Sequence, residues 1–415
     1  MRSDNQHFPR PQIIVYVLYY ICDRVIRTLD MKKSLVSLAM GTFGLGIAEF
    51  VMMGILPDIA SSLNVSIPTA GHLISAYAMG VCVGAPLIVL IARKRPLKQI
   101  LYGLVALIII GNIGASLSPS FFWLFTMRFV SGLPHGAFFG VGSIVAEKVA
   151  DKGKSAAAVA LMVSGMTVAN MLGVPLGTYV SGLLSWRLTF MIVGAWGAVV
   201  MFFIGRWVPV LPPMPDTGIK GQFRFLLSPA PWFIIMATML GNGGIFCYYS
   251  YVNPIMTHVA GFSESIMPTV MVLAGCGMVL GNLTGGYLSD RYTPERIAAV
   301  TQAVACAALV AVFFLAAYRI AAVALMLVCT ASLFALSAPQ QLLILQNSRG
   351  GEMMGAACAQ IAFNMGNALG AYCGGLPIES GLGYNYAALP GIAFTFCGFL
   401  VLLRFCKLYG RKRAS

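Results

Sequence analysis

Charge is scarce in this 415-residue chain: only 10% of residues are Asp, Glu, Lys or Arg, and 13 acids stand against 27 basic residues. A water-soluble domain carries about a quarter of its residues as charges, so a soluble globular protein is excluded. Histidine is nearly missing, with four in all. The 10 cysteines stand singly, with no Cys-x-x-Cys pair and no repeated spacing. That excludes a metal-ligand set or a disulfide framework and leaves small apolar residues that help helices pack. His-Glu-x-x-His is absent, and Gly153-Lys154-Ser155 ends like a phosphate-binding loop but has Lys148 where the motif needs its first glycine, so ATP-driven chemistry has no support. A reactive constellation and a sizeable soluble segment are both lacking, which argues against an enzyme and against a receptor.

Apolar surface fills the space that charge leaves. The chain is 59% hydrophobic with 45 glycines and 21 prolines, and about 20 apolar residues span the ~30 Å hydrocarbon core as a helix. Twelve spans are expected, at 35–61, 69–92, 97–117, 121–148, 155–184, 188–208, 230–257, 265–289, 295–317, 321–346, 355–381 and 386–406. The fold class is therefore an all-α membrane protein of twelve transmembrane helices. The basic excess of +14 is explained by topology. Arg93, Lys94, Arg95, Lys98, Lys148, Lys152, Lys154, Arg206, Lys220, Arg224, Arg291, Arg296 and Arg349 occupy alternate loops, against Arg187 and Arg319 in the intervening ones. By the positive-inside rule the first set is cytoplasmic. Lys32 and Lys33 at one end and Arg404 to Arg413 at the other place both termini inside, and no nucleic-acid partner is needed.

A displacement of 197 residues maps the chain onto itself: Gly80 and Gly84 fall on Gly277 and Gly281, Pro57 on Pro254, and Asn170, Gly173 and Gly177 on Asn367, Gly370 and Gly374. Two six-helix halves follow, 31–208 and 229–415, joined by a Pro-rich cytoplasmic linker at 209–228. Residues 1–30 contain an apolar run, Ile13 to Cys22, too short to span. They are expected to be an extension upstream of a natural start at Met31, with a short interfacial segment as the alternative. A duplicated membrane chain suits a transporter whose cavity lies at the repeat interface.

Ionisable groups inside the spans are expensive and mark ion or substrate pathways. Arg128 lies about eight residues, or ~12 Å, inside the outer end of the fourth helix, and Glu49 lies at similar depth in the first. Equal depth makes an ion pair between them feasible, direct or through water, either as a static brace or as a proton-coupling site. His135 is seven residues beyond Arg128 on the same face, as a proton relay or as a hydrogen-bonded packing residue. Asn242, Phe246, Tyr249 and Asn253 form a stripe on the seventh helix, and Gln360, Asn364 and Asn367 another on the eleventh. These amides either bond across helices or line a wet cavity able to hydrogen-bond a neutral polyhydroxylated substrate, Asn367 belonging more to the packing repeat.

Gly286, Leu288, Asp290 and Arg291 resemble the cytoplasmic Gly-x-Leu-x-Asp-Arg signature of the major facilitator superfamily, with Arg93 at the place matching Asp290 in the first half. Asn170, Gly173, Pro175 and Gly177 resemble the fifth-helix motif of its drug:proton antiporter branch, Val174 standing where that motif has an adjacent Gly-Pro. Residues Gly41 to Phe50, Pro134 to Gly140 and Gln360 to Asn364 extend the match to a group of bacterial sugar-efflux and drug-efflux permeases. The resemblance implies an inner-membrane, monomeric secondary transporter with no cofactor, driven by the proton gradient. It implies export of a sugar, arabinose or an arabinose-containing compound, or a related small molecule by alternating access, with multidrug:proton antiport as the alternative.

The topology is directly testable. Alkaline phosphatase fused after Asn64 or Leu184 is expected to be active in the periplasm, and fused after Lys98 or Lys148 inactive; the reverse pattern overturns the orientation.

Overall fold

The structure, a computed structural model, describes residues 33–92, 95–150, 155–212, 223–348 and 352–409, with side chains throughout except at 89–92, 155–157, 290, 352 and 353. The expected extension at 1–30, Arg93 and the tail residues Arg411 to Arg413 lie outside the described residues.

Helices α1 (Lys33–Leu63), α2 (Ile67–Ala92), α3 (Leu97–Ser116) and α4 (Phe121–Val149) are followed by α5, built from Ser155–Val168, a π-turn Ala169–Gly173 and Val174–Leu183, and by α6 (Trp186–Trp207). The second half holds α7 (Pro229–Tyr249), α8 (Met267–Arg291), α9 (Pro294–Leu315), α10 (Arg319–Gln346), α11 (Glu352–Glu379) and α12 (Ala388–Tyr409). Ten helices are long and apolar enough to cross a membrane, and the bent α1 brings the number to 11 among the described residues. The twelfth, α11, is 28 residues long; Gln360, Asn364 and Asn367 dilute its apolar character, and it is packed between α2 and α7. The seventh span departs from expectation: it breaks at Ser250 and Tyr251 and resumes as Val252–Pro254 and a π-turn, Ile255–Val259.

Proline accounts for the main distortions. α1 bends by 49° between Lys33–Phe50 and Met52–Leu63, and Pro57 within the second segment removes the donor to Met53 and presses its ring on the preceding turn. Pro175 likewise cannot donate, and the helix widens into the π-turn immediately before it. Ser34 donates to the Trp207 carbonyl (2.7 Å) and Lys98 to that of Gly205 (2.8 Å), so the start of α1, the start of α3 and the end of α6 share one face. Phe233 and Tyr409 meet with ring centres 6.2 Å apart, joining the start of α7 to the end of α12.

The 197-residue echo is realised as equivalent packing. Gly80 and Gly84 of α2 lie on the backbone of α4 at Phe129 and Leu133, while Gly277 and Gly281 of α8 lie on α10 at Thr330 and Ala331. In lipid, helices associate through such close backbone approach rather than through exclusion of water. Across the halves, α2 packs on α11, α5 on α8, and α1 on the resumed end of α7.

A Cβ at Gly84 or Gly281 would collide with a carbonyl oxygen on the partner helix, whereas Gly103 and Gly182 have nothing within 4 Å of that position. Gly84→Val and Gly281→Val are expected to destabilise by about 1–3 kcal/mol or more, read as lower melting temperatures in detergent. Gly103→Ala and Gly182→Ala should leave the melting temperature unchanged or raised.

Candidate functional site

Glu49 sits on α1 one residue before the bend, in a helix buried on nearly every side. It is 6% exposed, and a carboxylate there survives only if donors face it. One donor is in hydrogen-bond range and one imidazole nitrogen stands just outside it. From α11 of the second half, the Asn367 amide nitrogen donates to Glu49 Oε1 at 3.0 Å. From α4 of the first half, His135 Nε2 stands 3.7 Å from Oε2. The two carboxylate oxygens thus face different halves of the molecule.

Each donor is itself oriented. His135, 2% exposed, has Nδ1 2.9 Å from the Tyr77 hydroxyl of α2 and its ring stacked on Phe139 at 5.2 Å. When Tyr77 donates to Nδ1, the imidazole proton is left on Nε2, the nitrogen facing Glu49. The Asn367 oxygen accepts from the Asn242 amide of α7, and Asn242 also donates to the Phe363 carbonyl (3.1 Å). With its oxygen committed to α7, the Asn367 NH₂ group must point at the carboxylate.

Arg128, fully buried, does not reach Glu49 directly: among the described residues no ion pair joins them. Its Nη1 donates instead to the Ala48 carbonyl at 2.7 Å, and the guanidinium lies 4.5 Å over the Tyr77 ring and 5.5 Å over that of Phe190. Its Nε and Nη2 have no hydrogen-bond partner. The cation is thus anchored to backbone and π-faces beside Glu49, and the carboxylate keeps both oxygens for Asn367 and His135.

The remaining sequence candidates divide. Phe246 and Tyr249 join Phe50 and Phe334 in an aromatic cluster, with ring centres 5.8–6.5 Å from Phe50. Asn253 donates to the Gly54 carbonyl across the halves, with its own oxygen unpartnered. Asn364 donates to the Gln360 carbonyl (3.0 Å) and leaves its buried oxygen without a partner, while the Gln360 side chain is half-buried beside Gly136 of α4. The amides therefore do not form one lining: Asn242 is tied into α11, Asn253 closes one end, and Gln360 and Asn364 keep unused capacity.

Of the motif residues, Asn170 is buried in the π-turn with neither amide atom hydrogen-bonded. Gly173 faces Ile47, and Gly177 faces Val51 and Thr189, so both serve the α1–α5 contact, and Pro175 follows the π-turn. Arg291 is exposed with its guanidinium 5.1 Å from the Tyr287 ring; the Asp290 side chain and Arg93 lie outside the described residues. Sequence reasoning passed over Tyr77, which carries no charge and sits in a helix read only for its glycines, and assigned Asn367 to packing.

The arrangement is a buried acid–imidazole site at the junction of two six-helix halves, and comparison with known proteins agrees with it. The Major Facilitator Superfamily model matches residues 38–371. The chain is 52% identical over 381 residues to AraJ of Escherichia coli (strain K12), covering 92% of this chain and 96% of that one. It is 36% identical over 377 residues to the inner membrane transport protein YdhP of the same strain, covering 91% and 96%. In structure it superposes on a D-xylose-proton symporter with a TM-score of 0.72 at 16% identity, over 90% of this chain and 97% of that one. The chain belongs to the Major Facilitator Superfamily and is a multi-pass inner-membrane transporter.

Proposed function

We propose that this transporter exports a small neutral molecule, a sugar or a related compound, in exchange for protons by alternating access. The observation that carries the reading is the state of Glu49: a buried carboxylate not directly paired with the nearby arginine, hydrogen-bonded by an amide of the second half and approached to 3.7 Å by an imidazole of the first. A carboxylate locked to a guanidinium would resist protonation, whereas one facing a neutral imidazole and an amide can take up and release a proton. In this reading the proton resides on Glu49, with His135 Nε2 facing the acid at 3.7 Å as the neighbouring relay group and the Arg128 cation anchored beside it on the Ala48 carbonyl.

Gln360 and Asn364 supply the substrate contacts in this reading. Hydroxyl groups of a sugar donate to and accept from amides equally well, and the unpartnered Asn364 oxygen is an acceptor without a donor. The aromatic cluster of Phe50, Phe246, Tyr249 and Phe334 supports a second reading, multidrug:proton antiport, because apolar faces bind planar drugs without demanding a fixed hydrogen-bond pattern.

Inverted membrane vesicles with an imposed pH gradient, offered pentoses, arabinosides and cationic drugs, separate the two readings by which compound accumulates. Glu49→Gln is expected to reduce gradient-driven accumulation about tenfold or more while substrate counterflow without a gradient persists. Gradient-driven transport at the wild-type rate in this variant would overturn the role given to Glu49.

A further inference from the structure

Among the described residues four hydrogen bonds cross between the halves: Ser75 to the Ala368 carbonyl (2.8 Å), Cys82 to that of Ile361 (3.5 Å), Asn253 to that of Gly54, and Asn367 to Glu49 (3.0 Å). Three of them end on a backbone carbonyl, whose strength as an acceptor does not change with pH. The fourth ends on a group that titrates. A hydrogen bond to an ionised acceptor is roughly twice as strong as its neutral counterpart, so this contact alone among the four varies with the protonation of an acid.

The internal repeat makes the contact more pointed. Asn367 of α11 corresponds to Asn170 of α5. Asn367 has Asn242 behind it and Glu49 before it; at the corresponding places around Asn170 the chain has Leu45 and Phe246. Asn170 accordingly sits buried against α8 at Gly275 with both amide atoms unpartnered. The same scaffold position holds a braced, charge-facing amide on one side of the molecule and an idle one on the other. Packing alone does not require this difference, since both sites bury an asparagine.

We propose that Asn367 is the residue through which the protonation state of Glu49 governs the contact between the two halves. The inference rests on reading Glu49 as the proton-carrying acid. With Glu49 ionised, the Asn367 NH₂ group, held in orientation by Asn242, ties α11 to α1. When Glu49 takes a proton, the acceptor becomes neutral, the tie weakens, and α11 is freer to leave α1. The titratable and charged groups facing Glu49 are His135 and Arg128 from α4 and Tyr77 from α2; α7 contributes Tyr249 through Phe50, and α11 contributes only amides near this point. A charge on Glu49 is thus reported to the second half through Asn367, while the first half answers through His135. Asn367 is a positioning residue and does not itself carry the proton.

The test needs no substrate. Spin labels at Glu147→Cys on α4 and Tyr292→Cys after α8, both exposed and one in each half, are placed in a background lacking the native cysteines. Distance distributions are then measured in lipid nanodiscs from pH 5 to pH 9. The wild-type background is expected to change the ratio of its two distance populations by about fivefold or more. Glu49→Gln should make the ratio independent of pH. Asn367→Leu, which keeps the volume and removes the amide, should flatten it as well, while infrared difference spectra still show Glu49 titrating. If Asn367→Leu does not fold, Asn242→Leu, which frees the Asn367 amide to turn away, should reduce the pH response in the same direction. A wild-type response in the folded Asn367 or Asn242 variant, with Glu49→Gln flat, overturns the role of Asn367 and leaves the proton reading standing. A wild-type response in Glu49→Gln overturns both.

Discussion

A carboxylate placed where water is excluded governs this structure. Moving a charge into such surroundings costs several kcal/mol unless neighbouring donors replace the lost solvation, and a group of polar side chains is arranged around Glu49 accordingly. Asn367 and His135 face the two oxygens of Glu49, Asn242 and Tyr77 hold those two in orientation, and Arg128 is secured on the Ala48 carbonyl beside them. Five helices contribute to one acid: α1 bears it, α2 and α4 carry Tyr77, Arg128 and His135, and α7 and α11 carry the two amides. The set spans both halves, and the Asn367–Glu49 hydrogen bond joins them at the buried acid.

The scaffold around this centre is nearly symmetric and the chemistry is not. Glycines at equivalent positions seat α2 on α4 and α8 on α10, giving each half the same backbone approach. The ionisable groups around Glu49 lie in the first half, and the amide that reaches it, Asn367, comes from the second. Asn170 and Asn367 stand 197 residues apart, but only Asn367 has an acid and a bracing amide beside it. Asn170 remains in a π-turn next to Pro175, where the widened turn already separates α5 into two segments. The α5–α8 contact is thus built from small residues and a distorted helix, and the α11–α1 contact from a directional hydrogen bond.

Most of the helix boundaries were legible because hydropathy in lipid is a strong, local signal: the spans around α3, α4 and α9 agree with the structure within one or two residues. The break at Ser250 and Tyr251 was not, although the run Tyr248 to Tyr251 and the following Asn253-Pro254 are more polar than the preceding residues and carry a breaker signal; beyond the break Asn253 bonds Gly54 of the other half. Glu49, Arg128 and His135 stood out because charge and imidazole are so rare in the spans. Tyr77 did not stand out, a phenol being as ordinary in a membrane helix as in a core. A direct pairing of Arg128 with Glu49 rested on equal depth alone, and depth says nothing about azimuth; the guanidinium donates to the backbone of α1 and lies over aromatic faces beside the acid.

By itself the sequence determined the lipid solvent, the internal echo at 197 residues, the course of the apolar helices and the identity of the rare ionisable residues, because each of these is a property of one segment or of two segments compared at a fixed offset. Tertiary structure alone decided which oxygen of Glu49 faces which partner, which way the Asn367 amide points and which asparagine is left idle. Those facts depend on the rotation of packed helices about their own axes. That rotation is set by glycine contacts distributed over the whole bundle and is not encoded in the spacing of any single helix.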